Sequence, residues 1–244
     1  MWALVLNFRV NSLYSVILPY TWQSALTYPI LPPSAVIGLL ANALQRHKND
    51  RHPIEYLQMI EKEIEWAGSR LLTPCIVKSY TISAITKWEA RLGDKFTNAL
   101  GRQFAFARKI QSLAVLKSGE ILCDLSTAVT VTPVTAGDSE SAITLEDVPI
   151  VKEVEEHVVE EEEEISTVFP MPLKTFKDTF VRGMGRLYFM HERCLKQRGF
   201  PLSVYLCPLK EEKGVLYPII ITVKCKPGDI IYRVEGIGTI IKPK

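Results

Sequence analysis

The chain has 244 residues, 47% of them hydrophobic, and a formal net charge of +2 at pH 7. This size and composition allow one globular domain, with or without a small appendage, to bury a substantial core. Five widely spaced cysteines without a CxxC pair exclude a disulfide framework and a zinc site, and no apolar run approaches the roughly 20 residues of a membrane span. We therefore predict a cytoplasmic protein that does not enter a membrane.

The charge is distributed unevenly along the chain. Residues 138–164 hold one lysine and twelve acidic residues, a net charge of −11, which leaves +13 on the rest. A body of that sign favours a polyanionic partner through counterion release. Charge alone does not distinguish RNA from DNA or from an acidic protein.

The N-terminal residues predict a strand followed by a helix. Residues 1–11 alternate apolar with other side chains, which is typical of a central antiparallel strand. Prolines at positions 29, 32 and 33 then hold the chain extended, and Ser34 is placed to cap a helix over residues 34–47. Gly38 costs this helix roughly 1 kcal/mol relative to alanine, so we expect something to pack closely against it.

The middle of the chain predicts alternating element types. Residues 53–66 have the pattern of an amphipathic helix and residues 74–85 that of a strand. The basic, aromatic stretch 87–117 lacks a continuous core pattern over most of its length and should project from the domain. Residues 112–116 and 120–131 predict two strands around a turn at Ser118-Gly119.

The acidic part of the chain predicts an insertion at the surface. Residues 132–147 are rich in small and polar side chains and predict a mobile segment. The run 153–164 could be a solvated loop or a charged strand edge. We favour a surface excursion over a metal site, because the run contains no glycine for a tight turn. We therefore assign residues 133–164 to an acidic, mobile insertion.

The C-terminal part predicts a helix and then strands. Residues 174–198 predict a helix split by Gly183-Met184-Gly185, and the strands are expected at 202–206, 216–225 and 230–241, the last bent at Gly236 and Gly238. The order of elements along the whole chain predicts an α+β fold rather than a doubly wound parallel sheet.

One candidate nucleic-acid-binding segment alternates cations with aromatic rings. Such a mixture can hold phosphates while rings or guanidinium planes stack on unpaired bases. The candidate residues are Arg102, Gln103, Phe104, Arg108 and Lys109. The alternative is a surface hairpin whose phenylalanines only pack on the domain.

Two further groups of residues are candidates. Arg182 and Arg186 flank a glycine pair that allows the backbone to approach a phosphate closely, although a structural helix break is an equal alternative. The polar groups of four residues beside the first strand and the helix entry could meet bases or sugars, or could instead cap a loop. These residues are Arg9, Gln23, Ser24 and Tyr28.

Catalytic motifs are missing from the sequence. It contains no GxSxG, HExxH, Walker or Rossmann pattern, and its four histidines fit surface or packing roles. The best catalytic alternative pairs Tyr188 with His191, since a spacing of three places them on neighbouring faces of a helix. We predict a protein that is not an enzyme and uses no metal or other cofactor.

Three segments together resemble a known family. Residues 23–44, Gly101-Arg102-Gln103-Phe104 and the run from Arg182 to Phe189 resemble the fifth family of CRISPR-associated proteins, within the RAMP superfamily. The pattern is most like the archaeal type I-A form. The resemblance implies a ferredoxin-like (RRM-like) domain formed by residues 1–132 and 165–244, with a thumb inserted at about 87–117 and a small C-terminal β extension.

The resemblance also implies a function. Members bind the crRNA 5′ handle as non-catalytic subunits of type I Cascade complexes in antiviral defence, and bridge the backbone subunit of the seventh family and the large subunit of the eighth. Target DNA would be met only through the complex. Two alternatives stay open, a metal-independent endoribonuclease that processes precursor crRNA and a protein-only assembly scaffold.

Overall fold

The computed structural model describes residues 1–21, 24–89, 94–138, 141–173, 181–182, 185–194 and 202–244, with only the backbone described at 82–89, 94–100 and 181–182. The helices are α1 (Pro33–Lys48), α2 (Pro53–Glu63) and α3 (Leu122–Val131). The strands are β1 (Trp2–Val10), β2 (Ser24–Ala25), β3 (Ile64–Leu71), β4 (Cys75–Glu89), β5 (Asp94–Ala107), β6 (Lys109–Leu116), β7 (Val134–Thr135), β8 (Ala142–Leu145), β9 (Ile150–Val158), β10 (Glu163–Thr167), β11 (Met171–Pro172), β12 (Val181–Arg182), β13 (Arg186–His191), β14 (Leu202–Cys207), β15 (Leu209–Glu212), β16 (Val215–Pro218), β17 (Ile221–Cys225), β18 (Ile230–Val234) and β19 (Gly238–Lys242). Within these ranges, no helix has both the length and the apolar character needed to span a membrane.

The largest sheet has the strand order β19-β18-β9-β1-β6-β3, with β8 also paired to β1. The predicted first strand, β1, lies at the centre of this antiparallel sheet. Leu4, Leu6 and Phe8 pack in one core with the helices, while Ala3 and Val5 belong to a second core on the opposite face. Successive side chains of β1 therefore enter two different cores, so both faces of the strand are buried, as expected at the centre of a covered sheet.

Helix α1 lies in the main core and confirms the predicted helix, but its start differs from the prediction. Pro32 is the N-cap residue and no side chain caps the helix. Because Pro33 occupies the first helical position, Ser34 is already inside the helix and the prediction that it forms the cap is wrong. The helix ends at Asn49, whose left-handed backbone lets its amide donate to the Gln45 carbonyl at 2.8 Å.

Two elements in the middle of the chain differ from the predictions. The helix predicted over 53–66 ends at Glu63, because Ile64 turns extended and begins β3 against β6. The strand predicted over 120–131 is wrong, since this segment forms α3. Its buried residues follow a helical spacing that overrides the strand preference of a segment rich in threonine and valine. They are Leu122, Leu125, Ala128 and Val129.

The acidic segment is built into the sheets. β8 pairs with β1, and β9 pairs with both β1 and β18. Residues 150–158 thus form a strand inside the largest sheet and not the surface excursion that we favoured, whereas the mobility predicted for residues 132–147 stays a prediction. Val154 is buried while glutamates of β9 face solvent, so a central strand can carry this charge on its exposed face. The division of the chain into one domain with a thumb stays a prediction.

The C-terminal part consists of short strands. Residues 186–191 form β13 paired with β14, so the helix predicted there is wrong, while residues 174–180 lie outside the described residues. The strand expected over 202–206 is confirmed as β14. The strand expected over 216–225 divides into β16 and β17, and 230–241 is the hairpin β18–β19, which turns through Gly236 at a φ of 73°.

An ion pair links β19 to β3, the two end strands of the largest sheet, and predicts a pH effect. Glu65 accepts a hydrogen bond from Lys242, and its carboxylate lies 3.5 Å from the Tyr232 hydroxyl. Burial raises the pKa of Glu65, but the bond to Lys242 and its charge outweigh burial and hold the pKa below its usual value. A depressed folded-state pKa stabilises the protein above the unfolded-state pKa, and this contribution is lost as the pH falls through the folded-state pKa.

We therefore expect Glu65→Gln to lower the free energy of unfolding at pH 7 by less than about 1 kcal/mol, because the pair is partly solvent-exposed. The difference from the original chain should shrink as the pH falls through the lowered folded-state pKa of Glu65. Urea unfolding in a series of buffers from pH 7 into the acid range measures it. The exposed Glu153→Gln serves as the control, and an equal, pH-independent loss in both variants would contradict the assignment.

Candidate nucleic-acid interface

The base of the hairpin β4–β5 is fixed to the main core by one of its faces. Cys75, Ala105 and Ala107 are fully buried there. Tyr14 bridges the outer edge of β5, since its amide donates to the Ala105 carbonyl at 2.9 Å and its carbonyl accepts from the Ala105 amide at 2.8 Å. The strand predicted over 74–85 is confirmed as β4, which pairs with β5 along the hairpin.

The opposite face of this hairpin carries rings and cations. Ile76, Lys78 and Tyr80 of β4 lie opposite Phe106, Phe104 and Arg102 of β5, and we name these six residues the hairpin face. Tyr80 and Phe106 are 48% and 45% exposed. The Phe104 ring lies 5.8 Å from that of Tyr80, and the Arg102 guanidinium lies 4.8 Å from the Phe104 centroid. Phe106 therefore does not simply pack on the domain.

Arg102 and Gln103 have different environments although they are adjacent. The Arg102 guanidinium forms a 2.5 Å ion pair with Asp138, and its Nε is buried without a partner among the described residues. Gln103 lies on the other face of β5, where its Nε2 donates to Ser79 at 3.2 Å and its Oε1 accepts from the Thr27 amide at 3.3 Å. Gln103 therefore joins the segment before α1 to the hairpin instead of facing outward with Arg102.

A second cationic group lies at the end of the central sheet. Arg9 is the cross-strand partner of Lys109, which forms a 2.7 Å ion pair with Glu146. Arg108 is exposed and forms no ion pair with another described residue. On the same face of the sheet, Gln111 donates to Asn7 at 2.8 Å. The structure thus pairs Arg9 with Lys109 and leaves Arg108 next to Lys109 in the chain. On the hairpin face, β4 adds Lys78 and Tyr80 beside Phe104, which sequence reasoning missed.

The remaining predicted site residues do not form a common surface with this group. Ser24 is exposed in β2, which pairs with β5 at Gly101. Tyr28 is only 2% exposed, donates its hydroxyl to the Phe189 carbonyl and has a raised pKa because of burial, and its expected contact with RNA stays a prediction. Arg186 is exposed and pairs with Glu211. Gln23 and the side chain of Arg182 lie outside the described residues.

Tyr188 and His191 do not form the catalytic pair that a helix would allow. Both lie on β13, where a separation of three places side chains on opposite faces. Burial raises the pKa of Tyr188 to about 12, and the charge of Arg186 offsets this only in part, so the hydroxyl keeps its proton at neutral pH. Among the described residues, no three His, Cys, Asp or Glu side chains are arranged to hold a metal ion.

The N-terminal half of the chain matches a protein family. Residues 5–120 match the family model Cas_Cas5d, whose description is CRISPR-associated protein (Cas_Cas5). This segment contains most of β1, the helix α1, the whole β4–β5 hairpin and β6. No curated protein matches the sequence of the chain significantly.

Solved structures share the fold at low sequence identity. A CRISPR protein from Archaeoglobus fulgidus is 16% identical, with a TM-score of 0.63 over 100% of both chains. Weaker similarity is found to a chain of a CRISPR RNA-guided surveillance complex, 12% identical over 92% of this chain and 91% of that one, with a TM-score of 0.45. A chain of the Type III-B Cmr-beta complex bound to cognate target RNA and AMPPnP is 11% identical over 92% and 86%, with a TM-score of 0.49.

The family match and the first structural similarity bear on different properties of the chain. The similarity to the Archaeoglobus fulgidus protein establishes a shared α+β fold with a curled antiparallel sheet over the full length. The family match covers just under half of the chain, including the hairpin face. The chain is therefore similar to the Cas5 family over residues 5–120, and the structural similarity concerns the fold alone.

Proposed function

We propose that the chain is a non-catalytic crRNA-binding subunit of a type I CRISPR Cascade complex, in which it anchors the crRNA 5′ handle. The observation that carries this proposal is the hairpin face, a row of rings and cations within the segment that matches the Cas5 family. Its residues Lys78, Tyr80 and Phe106 are exposed, whereas Arg102 is half-buried and paired with Asp138. Rings on such a ribbon stack on unpaired bases, and cations at its edge neutralise phosphates.

The charge distribution supports a polyanionic ligand on this face. None of its six residues is acidic. The acidic strands β9 and β10 belong to other sheets than the hairpin, so their carboxylates do not lie between its rings. Phosphate contacts supply affinity and salt dependence, whereas handle selectivity comes from the splayed bases.

The strand order supports the finer fold assignment. β1, β3, β6 and β9 form the order β9-β1-β6-β3, with α1 between β1 and β3 and α3 between β6 and β9. This is the order of a ferredoxin-like core. We place the thumb at the β4–β5 hairpin, because β6 lies inside the central sheet and cannot belong to a thumb that extends to residue 117.

The proposal includes partners and the lack of catalysis. The chain would bridge a backbone subunit of the seventh CRISPR-associated family and a large subunit of the eighth, and would meet target DNA only through the complex. The separation of Tyr188 and His191 on opposite faces of β13 supports a non-catalytic role. Assignment to type I-A and to an archaeal source rests on the sequence resemblance alone.

One experiment separates the three functions. A labelled RNA with the repeat-derived 5′ handle and a scrambled RNA are mixed with the purified protein at two salt concentrations without metal. We expect handle-selective, salt-sensitive binding and intact RNA. Cleaved RNA would contradict the non-catalytic role and favour an endoribonuclease. Equally weak binding of both RNAs would favour a protein-only scaffold.

The exposed Arg108 predicts a specific change in salt dependence. If its guanidinium contacts one phosphate, Arg108→Ala should reduce the slope of log K against log salt by about 0.7, the value expected for a single strand. The affinity for handle and scrambled RNA should fall by the same factor, because a phosphate contact does not read bases. Arg233→Ala, an exposed arginine in β18, is the matched control. An equal change of slope in both variants would contradict a specific contact between Arg108 and a phosphate.

A further inference from the structure

Arg102 is a cation of the hairpin face that is already bound to an anion of its own chain. Its Nη2 lies 2.5 Å from Asp138 Oδ2, and the two side chains are only 25% and 20% exposed. Lys78, the other cation of this face, is exposed. The hairpin face thus carries one cation that is open to solvent and one that a carboxylate holds.

The carboxylate of Asp138 is kept in place by the turn between β7 and β8. Ser141, which is buried, donates its hydroxyl to Asp138 Oδ1. Gly137 has a φ of 91°, and a Cβ atom there would lie 2.5 Å from the Val16 side chain. Glycine therefore lets this turn pack closely, and the packing fixes the position from which Asp138 reaches Arg102.

The geometry of the ion pair leaves half of one guanidinium edge unused. The Nε and Nη2 atoms of an arginine point the same way and together bind a carboxylate or phosphate through two parallel hydrogen bonds. Asp138 contacts Nη2 through Oδ2, while its other oxygen accepts from Ser141. Arg102 Nε is buried and has no hydrogen-bond partner among the described residues. The ion pair therefore has one hydrogen bond where the edge offers two.

A phosphate suits this edge better than Asp138 does. Two phosphate oxygens accept from Nε and Nη2 together, which removes the cost of a buried donor without an acceptor. The Arg102 guanidinium also lies 4.8 Å from the centroid of the Phe104 ring. An RNA chain whose bases stack on the rings of the hairpin face brings its phosphates to the cations beside them.

We propose that Asp138 is an internal competitor of the RNA phosphate, which occupies Arg102 in the free protein and is displaced when RNA binds the hairpin face. The inference rests on the proposed function, since it assigns a regulating residue to the same site. Asp138 lowers the affinity of the face for RNA, and it keeps Arg102 from binding other anions while RNA is absent.

The first test measures RNA affinity after the charge of Asp138 is removed. Asp138→Asn keeps an oxygen that accepts from Ser141 but takes the negative charge away from Arg102. At about 0.15 M salt, which screens distant charges, the variant should bind handle RNA roughly 2- to 5-fold more tightly, the range for one partly exposed ion pair. The matched control is Asp124→Asn, which removes the same charge from an ion pair with Lys48 outside the hairpin face and should leave the affinity unchanged.

Unfolding by urea separates competition from a positioning role. The ion pair stabilises the free protein, so Asp138→Asn should lower the urea midpoint slightly while it tightens RNA binding. The two effects then have opposite signs. A lower midpoint together with weaker RNA binding would show that Asp138 holds Arg102 in its binding position, and would overturn the inference.

Nuclear magnetic resonance follows the exchange of partners directly. The Nε–H signal of Arg102, assigned by its loss in Arg102→Lys, is recorded in isotope-labelled protein during a titration with handle RNA. We expect this proton to move downfield as a phosphate accepts its hydrogen bond. An unchanged signal at saturating RNA would show that Asp138 is not displaced, and the inference would fail.

The remaining outcomes distinguish the two proposals. If wild-type protein binds the handle but Asp138→Asn has the same affinity, the inference fails and the proposed function stands. If Asp124→Asn gains as much affinity as Asp138→Asn, the gain reflects net charge and the inference also fails. Failure of the wild-type protein to bind any handle RNA would contradict both proposals.

Discussion

Replacing both Tyr80 and Phe106 with alanine is expected to weaken binding of handle RNA by about 2 kcal/mol or more, roughly thirtyfold, since each stacked base contributes about 1–3 kcal/mol. Both rings are nearly half exposed on the hairpin face, so their removal leaves no cavity in the core. The loss should be similar at low and high salt, because stacking does not release counterions. Fluorescence anisotropy of labelled RNA measures the affinity.

The control for this variant is Ile220→Ala, which removes an exposed apolar side chain between β16 and β17. It should leave the affinity unchanged. Unfolding curves of the double variant and the control should coincide within about 0.5 kcal/mol, as is usual for surface substitutions. Wild-type affinity in the folded double variant would show that the hairpin face is not where RNA stacks.

Replacing Phe8 with alanine is expected to lower the free energy of unfolding by about 3–5 kcal/mol, the cost of a large cavity in a packed core. Phe8 is fully buried in the central strand β1, opposite Ile110 of β6 and Leu145 of β8. The cavity left by Phe8 can collapse only slightly, because strands pair with β1 on both sides. Urea unfolding followed by circular dichroism measures the change.

The neighbouring Arg9 supplies the matched control. Its side chain is exposed on the opposite face of the same strand, so Arg9→Ala should change stability by no more than about 0.5 kcal/mol. Any loss of RNA affinity in Arg9→Ala can then be attributed to the lost charge. Equal destabilisation by the two substitutions would contradict the assignment of faces along β1.

Local patterns were sufficient for several elements. Prolines before residue 34 and an apolar run after it predicted α1, and alternation predicted β1 and β14. The same reasoning failed at α3, whose threonine and valine content favours strands although its burial is helical. It failed again at β9, where Val154 is the one buried residue among several glutamates. Composition does not reveal that other strands pair with this segment on both sides.

The candidate site also combines features that the sequence predicts with features that only the folded chain shows. Sequence alone determined that cations and rings alternate around Arg102 and Phe104, and that Gly38 interrupts an apolar helix. Only the tertiary structure placed Tyr80 beside Phe104, buried Tyr28 and opened a cleft above Gly38. A side chain's face and its cross-strand neighbour depend on pairing register and burial, which arise from contacts between residues far apart in the chain and leave no local trace.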